Sequence, residues 1–253
     1  MSFSIAREFR QALARRELAS VFQPIRRLDD GAALGVEALM RWHHGERGVI
    51  RPKVFIPASE RDGSIIAPGA WILQQAVEAL AGWRAARRDL GGIYVAVNLS
   101  PVQLDSPRLV ETMSAHLAEH GLSPSDLHLE VTESVPLADT RAPEQLALLR
   151  GAGFRLSIDD FGAGFTSLSH LHRMAFDTMK IDRSFIADLP DHRQARIIVE
   201  SLVRLASDLD MAVIAEGVET EAQRRALLDI GCEVGQGYLL GDPVAAEEIP
   251  GVL

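Results

Sequence analysis

The chain has 253 residues, 47% of them hydrophobic and 24% charged, and this composition suits a soluble protein with a sizeable core. Its net charge of −9 argues against a long nucleic acid as partner, because phosphate backbones are bound by surplus Lys and Arg. The sequence has neither an apolar run of roughly 20 residues, as a membrane span requires, nor the apolar block of a signal peptide, so we expect a cytoplasmic protein without a membrane span.

Short apolar runs alternate with longer amphipathic segments along the chain. The runs predicted as strands are residues 19–28, 33–42, 93–100, 127–132, 154–160, 178–182, 212–217 and 233–240. Apolar residues at helical spacing lie between them, most clearly over 71–86, 107–121 and 195–210. Alternating strands and helices predict an α/β fold with a mostly parallel sheet, and about eight strands in this length predict a closed (β/α)8 TIM-type barrel.

The first two predicted strands are joined differently from the others. Asp29, Asp30 and Gly31 form a hairpin-type turn between them, with no helix. Two strands joined by such a turn run antiparallel, so we predict a barrel with one antiparallel strand. Because the chain shows no linker and no repeat of fixed period, we expect residues 1–253 to form a single domain.

Polar side chains lie near the C-terminal end of almost every predicted strand. They are Glu37, Asn98, Glu130, Asp159, Asp160, Lys180, Asp182, Glu216 and Gln236. In a closed barrel these strand ends meet at one rim, where the active sites of this fold are built. Taken singly, each residue is explained by a strand-end cap or a salt bridge. As a set, they indicate a functional site.

Five of the carboxylates would raise one another's pKa values and repel if they met in one pocket, namely Glu37, Glu130, Asp159, Asp160 and Glu216. Lys180 alone cannot neutralise them, whereas divalent cations can. Carboxylate and amide oxygens are the ligands that suit Mg²⁺ or Mn²⁺. The adjacent residues Asp159 and Asp160 would let one carboxylate bridge two ions. The sequence therefore predicts a metal site.

The segment DDFGAGFTSL (159–168) follows a predicted strand and contains Gly162 and Gly164. Glycines permit backbone angles that other residues avoid, and they permit loop motion. An ordinary turn between a strand and a helix is the alternative explanation. Because the segment begins with two acidic residues of the predicted site, we expect a mobile gate over that site.

Several motifs together resemble those of the EAL-domain cyclic di-GMP phosphodiesterases. They are FQPI (22–25), VEALMRW (36–42), NLS (98–100), EVTE (130–133), DDFGAGFTSL (159–168), KIDRSFI (180–186), AEGVE (215–219) and GQGYLLGDP (235–243). The resemblance runs from about residue 15 to 245, in order and with sensible spacing. It implies a barrel with one antiparallel strand, two Mg²⁺ or Mn²⁺ ions, and hydrolysis of cyclic di-GMP to linear 5′-pGpG.

The resemblance also implies roles for individual residues. The first ion would be held by Glu37, Asn98, Glu130 and Asp159, and the second by Asp159, Asp160 and Glu216. Lys180 would lie beside the attacking water, with Glu37 and Glu216 as further catalytic residues. Substrate contacts would come from Gln23, Leu39, Arg41 and Gln236, and Glu133 and Glu219 would position the glycine-containing loop.

Two other functions stay open from the sequence. A catalytically silent receptor would bind cyclic di-GMP and signal through protein contacts, and a different metal-dependent barrel enzyme would act on another phosphodiester. The complete ligand set favours the enzyme. A homodimer and a fused or docked regulatory domain outside this chain are compatible with the resemblance. We expect His43 and His44 to be loop residues without a shared ion, and Cys232 to be inert.

Overall fold

The computed structural model of the protein describes residues 2–133, 140–162 and 176–253, and their side chains from residue 5 onward. The strands are β1 (Leu18–Arg27), β2 (Ala33–His44), β3 (Gly48–Ile50), β4 (Tyr94–Asn98), β5 (Leu127–Thr132), β6 (Arg155–Phe161), β7 (Thr178–Ile181), β8 (Ala212–Glu216) and β9 (Val234–Gln236). The helices are α1 (Ser2–Ala12), α2 (Pro52–Arg61), α3 (Ile66–Ala86), α4 (Pro101–Leu104), α5 (Leu109–Glu119), α6 (Ala142–Gly151), α7 (Arg183–Ala187), α8 (Arg193–Asp208), α9 (Glu221–Ile230) and α10 (Ile249–Val252).

Eight of the described strands close into a barrel. The order is β1-β9-β8-β7-β6-β5-β4-β2, and β1 closes the ring by pairing with β2. Neighbours from β2 through β9 are parallel, whereas β1 is antiparallel to both β2 and β9. The predicted (β/α)8-type barrel with one antiparallel strand is therefore confirmed.

The hairpin between β1 and β2 forms where the sequence predicts it. Gly31 has a φ of +75°, a backbone conformation that glycine adopts without strain. The Arg27 amide donates to the Ala32 carbonyl at 2.9 Å and closes the turn. The hairpin leaves no room for a crossover helix, which is why β1 alone runs against its neighbours.

Alternation along the strands divides the side chains between two environments. Val95 and Val97 of β4 lie in the main hydrophobic core, which also includes Ile72 and Val77 of α3. Ala96, between the two valines, belongs instead to a small cluster with Ile25 and Ile214 inside the barrel. Period-two alternation of this kind places every second residue of a strand in the barrel interior.

Strand β3 was not predicted from the sequence, whereas α1 lies where the amphipathic N-terminal segment indicates a helix with Arg7 and Arg10 on its solvated face. Phe9 of α1, Trp42 of β2 and Phe55 of α2 form an aromatic cluster beside the barrel, with Phe9 and Phe55 ring centroids 4.7 Å apart. The prediction that His43 and His44 lie in a loop was wrong, because β3 pairs with the end of β2 and extends it to residue 44. The two histidines do point to opposite sides, since His44 is buried and His43 is exposed.

Strand β9 ends earlier than predicted, at Gln236. The chain turns sharply at Gly237, where a β-carbon would lie 2.3 Å from the backbone of Val218. The Val218 amide donates to the Gln236 carbonyl at 3.0 Å, so this close approach is part of the turn. Within the described residues, none of the helices has both the length and the apolar character needed to cross a bilayer.

Candidate metal and substrate site

Seven polar side chains meet inside the barrel toward the carboxyl ends of its parallel strands. We call them the acidic layer: Glu37, Asn98, Glu130, Asp159, Lys180, Glu216 and Gln236. Side chains two residues apart on a strand point to the same face. Ala96 and Ile214 point into the barrel, so Asn98 and Glu216, each two residues further along, also point inward. The predicted convergence of polar groups at one end of the barrel is found.

Lys180 lies at the centre of the acidic layer and is fully buried. Its Nζ is 2.8 Å from carboxylate oxygens of both Glu130 and Glu216, and 3.1 Å from Glu37. Asp159 Oδ1 is slightly farther away, at 3.3 Å. Four carboxylates around one ammonium leave a surplus of negative charge in a buried site.

Two amides complete the hydrogen bonding around Glu37. Asn98 Nδ2 donates to Glu37 Oε1 at 2.8 Å and approaches Glu130 Oε2 at 3.4 Å. Gln236 Nε2 donates to Glu37 Oε2 at 2.9 Å and to Gln23 Oε1 at 3.1 Å. Glu37 therefore has partners on both oxygens, which fixes its orientation.

Asp159 differs from the other carboxylates of the layer. An ammonium has three N–H donors, and four carboxylates surround Lys180. Asp159 Oδ1, the most distant of the four oxygens, is buried and accepts no hydrogen bond. Lys180 Nζ is its nearest cationic group but makes no hydrogen bond to it, so this buried oxygen still has lone pairs available to a metal ion. The described structure therefore fits a divalent cation at Asp159.

A second observation points to the same place. Ligand oxygens of Asp159, Asp160 and Glu216 all lie within 4.8 Å of one another. Asp160 has a φ of +53°, a conformation that costs a non-glycine residue free energy and occurs often at functional sites. The register between β6 and β7 shifts at this point, which turns the Asp160 side chain toward the open end of the site.

Burial and mutual repulsion shift the pKa values of these acids. Burial, reinforced by Glu37, raises the pKa of Glu130 well above its ordinary value. Burial also raises the pKa of Glu216 to about 8 and, together with Asp159 and Asp182, that of Asp160 to about 6. Glu37 is the exception. Burial raises its pKa, but Lys180 and Gln236 outweigh burial and lower it. The layer thus holds protons that a divalent cation would displace.

Two cavities open on either side of the acidic layer. The first, of about 320 Å³, is lined by Arg41, Lys53, Asn98, Ser100 and Asp160 among others. The second, of about 260 Å³, is lined by Gln23, Arg183, Glu216, Glu219, Gln236 and Tyr238 among others. Leu39 and Asp159 line both cavities. The two cavities therefore share part of their walls at Leu39 and Asp159.

The predicted substrate contacts all lie at these cavities. Arg41 is half-buried, and burial lowers the pKa of its guanidinium, although Glu37 and Tyr238 act in the opposite direction. Gln23 Nε2 donates to the Gly241 carbonyl at 3.1 Å, which leaves its oxygen for Gln236. The sequence analysis assigned no role to several polar residues of the cavity walls, among them Lys53, Arg183 and Tyr238. Arg183 and Tyr238 lie within the motifs KIDRSFI and GQGYLLGDP, whereas Lys53 lies in none of the motifs.

The predicted gate begins inside the described residues and continues outside them. Glu133 is buried, and its Oε2 accepts the Gly162 amide at 2.9 Å, as a loop-positioning residue should. Gly164 and the rest of the gate belong to residues 163–175, which lie outside the described part of the chain. The predicted contact of Glu219 with this loop therefore stays a prediction.

The fold and the site define the class of protein. It is a (β/α)8-type barrel with one antiparallel strand and an acidic site of the kind that holds divalent cations. The family described as EAL domain matches residues 6–243. The chain belongs to the EAL domain family, as its motifs indicate.

Relatives within this family include characterised signalling proteins. MucR of Pseudomonas aeruginosa, a bifunctional diguanylate cyclase/cyclic di-GMP phosphodiesterase, is 41% identical over 247 residues, which are 96% of this chain and 35% of MucR. NbdA of the same organism, a cyclic di-GMP phosphodiesterase, is 38% identical over 239 residues, or 94% of this chain and 30% of NbdA. The chain spans about a third of the length of the curated relatives it matches.

A solved structure also supports membership of the EAL domain family. The MucR phosphodiesterase in complex with c-di-GMP has a TM-score of 0.89 to this protein at 40% identity, and the match covers 97% of this chain and 99% of that one.

Proposed function

We propose that the protein hydrolyses cyclic di-GMP to linear 5′-pGpG with two divalent cations, Mg²⁺ or Mn²⁺. The observation that carries this proposal is the acidic layer. Four carboxylates, an amide and a lysine from separate strands meet between two cavities, and one buried Asp159 oxygen has no hydrogen-bond donor. Relatives named as cyclic di-GMP phosphodiesterases support the choice of substrate.

The residues that we expect to hold the ions are those of the acidic layer and Asp160. Glu37, Asn98, Glu130 and Asp159 would bind the first ion, and Asp159, Asp160 and Glu216 the second. Ions held there would neutralise phosphate charge and acidify water. The closeness of Asp159, Asp160 and Glu216 supports the second site, and the open Asp159 oxygen supports both.

The chain's own residues would bind and orient the dinucleotide. Arg41 is suited to a phosphate, because a guanidinium offers paired donors to two phosphate oxygens. Gln23, Leu39 and Gln236 would contact the remainder of the substrate from the shared wall of the two cavities. In the reaction, water oxygen bonds to phosphorus, the bond from phosphorus to O3′ breaks, and O3′ receives a proton.

Lys180 would act on the attacking water. Its buried ammonium can only donate hydrogen bonds, and the four carboxylates around it fix its position. In that position it would donate to the water oxygen and orient the water, and the cations would acidify that water so that its proton leaves more easily. Glu37 and Glu216 would contribute by holding both the cations and Lys180.

Other parts of the proposal concern the whole protein. We infer that residues 1–253 act as one domain in the cytoplasm, that a regulatory domain lies outside this chain or docks onto it, and that the protein forms homodimers. The short fraction of each curated relative that the chain covers supports the regulatory domain.

Product analysis tests the proposal. The protein is incubated with cyclic di-GMP and Mg²⁺ or Mn²⁺, and the nucleotides are separated by chromatography. We expect 5′-pGpG from the wild type. We expect Glu37→Gln to lower kcat/KM by about a hundredfold or more, since several kcal/mol of charge stabilisation depend on the cation site. Glu144→Gln, an exposed residue of α6, is the matched control.

Two outcomes would favour the other functions. Tight binding of cyclic di-GMP without linear product under either cation would identify a silent receptor. Turnover of a generic phosphodiester such as bis(p-nitrophenyl) phosphate, but not of the cyclic dinucleotide, would identify a different metal-dependent phosphodiesterase.

A further inference from the structure

A buried glutamine closes the turn that follows Asn98. Ser100 caps α4, and Gln103 is the third residue of that helix. Gln103 Oε1 accepts the Ser100 amide at 3.1 Å, while the Gln103 amide donates to the Ser100 carbonyl at 2.9 Å. Ser100 Oγ donates to Glu60 Oε1 of α2 at 2.8 Å. The turn is therefore fixed from both sides.

Gln103 is not an ordinary exposed capping residue. Only 5% of it is exposed, and its side chain lies between the site cavity and a larger groove on the outer surface of the barrel. Burying an amide costs free energy unless its hydrogen bonds are made. A capping box with an exposed glutamine would stabilise α4 equally well without burying an amide, so helix capping alone does not explain why Gln103 is buried.

Gly69 of α3 provides the space that Gln103 occupies. A β-carbon at position 69 would lie 2.6 Å from Gln103 Cδ and Oε1, and 2.7 Å from Nε2. Contacts this short force the amide to move. Glycine is unfavourable within a helix, so its presence in α3 is explained by the close approach.

The closed turn acts on Asn98 through a very short connection. Only Leu99 separates Asn98 from Ser100, and the Leu99 amide donates to the Glu130 carbonyl at 2.7 Å. Asn98 Nδ2 in turn contacts Glu37 Oε1 at 2.8 Å and Glu130 Oε2 at 3.4 Å. A shift of the turn would therefore move Asn98 relative to both carboxylates.

We propose that Gln103 is a positioning residue for the cation site and that it orients Asn98 through the Ser100 turn. Gly69 is required because any side chain at position 69 would displace the Gln103 amide. This inference rests on the proposed cation site. It assigns no contact of Gln103 with substrate. Outer partners that orient a ligand residue typically change metal affinity or activity by about 10- to 100-fold when removed.

Two glycine variants of the same helix give the sharpest test. Gly69→Ala adds a methyl group against the Gln103 amide, whereas a β-carbon at Gly82 of α3 would meet nothing within 4 Å. Both substitutions improve helix propensity. We expect Gly69→Ala to weaken Mn²⁺ binding by about tenfold or more, measured by titration calorimetry, and Gly82→Ala to leave it unchanged. Equal Mn²⁺ affinity in both variants would overturn the proposal.

A second pair of variants removes the amide itself. Gln103→Met keeps the length of the side chain and deletes its polar atoms, and Gln74→Met makes the same change on the exposed face of α3. We expect only Gln103→Met to weaken Mn²⁺ binding, and we expect kcat to fall more than KM rises. A Gln103→Met protein that loses thermal stability but binds Mn²⁺ like the Gln74→Met control would show a merely structural role and would reject the inference.

Mn²⁺ binding separates this inference from the proposed function. Wild-type protein that binds Mn²⁺ but makes no 5′-pGpG would refute the phosphodiesterase, while the four variants would still decide the role of Gln103. Wild-type protein that binds no Mn²⁺ would refute the cation site, and the positioning role with it.

Discussion

The two ends of the barrel interior are built on different principles. At the carboxyl ends of the parallel strands, the acidic layer holds four carboxylates around Lys180. At the other end, which we call the floor, Tyr94 and His128 stack with ring centroids 3.7 Å apart and planes 5° apart. Gly35 allows this stack, since a β-carbon there would lie 2.6 Å from the Tyr94 ring.

The difference concerns how each end satisfies its polar groups. Arg155, at the start of β6, pairs with Asp177 at 2.8 Å, and Ile25, Ala96 and Ile214 form an apolar cluster that Tyr94 packs against. The acidic layer leaves an Asp159 oxygen without a donor and places four carboxyl groups around one ammonium. The floor is thus organised for stability, whereas the acidic layer gives up stability for a site whose residues fit divalent cations.

The largest expected effect is that of removing Lys180. Lys180→Met leaves four buried carboxylates without their ammonium, and breaking a buried ion pair typically costs about 3–5 kcal/mol. We expect the free energy of unfolding, measured with urea in the presence of EDTA, to fall by about that amount. The same substitution at the exposed Lys53 is the control. If Lys180→Met were as stable as Lys53→Met, the acidic layer would not be the strained end of the barrel.

Cations should have the next largest effect. A ligand that binds only the folded state at about 100 times its Kd stabilises it by about 2.7 kcal/mol. We expect Mn²⁺ at that ratio to raise the melting temperature of the wild type. We expect Asp159→Asn to lose this response and, because burial raises the pKa of Asp159, to be more stable than the wild type without metal. An unchanged Mn²⁺ response in Asp159→Asn would contradict the assignment.

The floor should respond to acid through His128. Burial and Arg155 lower the pKa of His128 to about 4, while Asp177 and Asp126 act in the opposite direction. Because the folded-state pKa lies below the ordinary value of about 6.5, the unfolded chain binds the proton first, and stability falls as the pH drops from about 6.5 to about 4. The contribution of His128 to the free energy of unfolding should fall by about 2 kcal/mol between about pH 7 and about pH 5.

Urea unfolding of wild type and His128→Phe at both pH values isolates this contribution. Phe keeps a ring against Tyr94 and cannot be protonated. Between the two pH values, the change in the free energy of unfolding should differ between wild type and variant by about 2 kcal/mol, with acid less favourable to the wild type. Identical pH dependence in the two proteins would show that the acid sensitivity does not come from His128.

The smallest expected effect is at Cys232, outside both ends of the interior. The thiol is buried, and burial raises its pKa to about 12. Since only the thiolate attacks disulfide reagents, we expect no reaction of the folded protein with Ellman's reagent and full reaction in urea. Rapid labelling of the folded protein would show that the segment before β9 opens more readily than its packing indicates.

The sequence predicts the barrel and most of the site well, because both depend on short-range patterns. Period-two alternation predicts β4 to β8, and Asp29-Asp30-Gly31 predicts the reversed β1. The same alternation predicts that Asn98, Glu130 and Glu216 face inward, so their convergence follows once the barrel closes.

What the sequence could not predict depends on contacts between distant segments. The sequence predicts Lys180 at the same rim as the carboxylates, but its place at the centre of four of them depends on how the closed barrel brings the strands together. The positive φ of Asp160 is set by a register shift against β7. The need for Gly69 is likewise invisible until α3 and α4 pack together, because helix propensity alone disfavours glycine there.

The antiparallel strand has a mechanical consequence. Strand β1 joins β9 through only two register pairs, Arg26 with Gly235 and Arg27 with Val234, so the barrel has a short seam between segments more than 200 residues apart. Gln236 donates to Gln23 directly across that seam. A ligand that contacts both glutamines would stabilise the pairing of β1 with β9 against local opening. Its binding should therefore slow amide hydrogen exchange at residues 234–236 more than in β5.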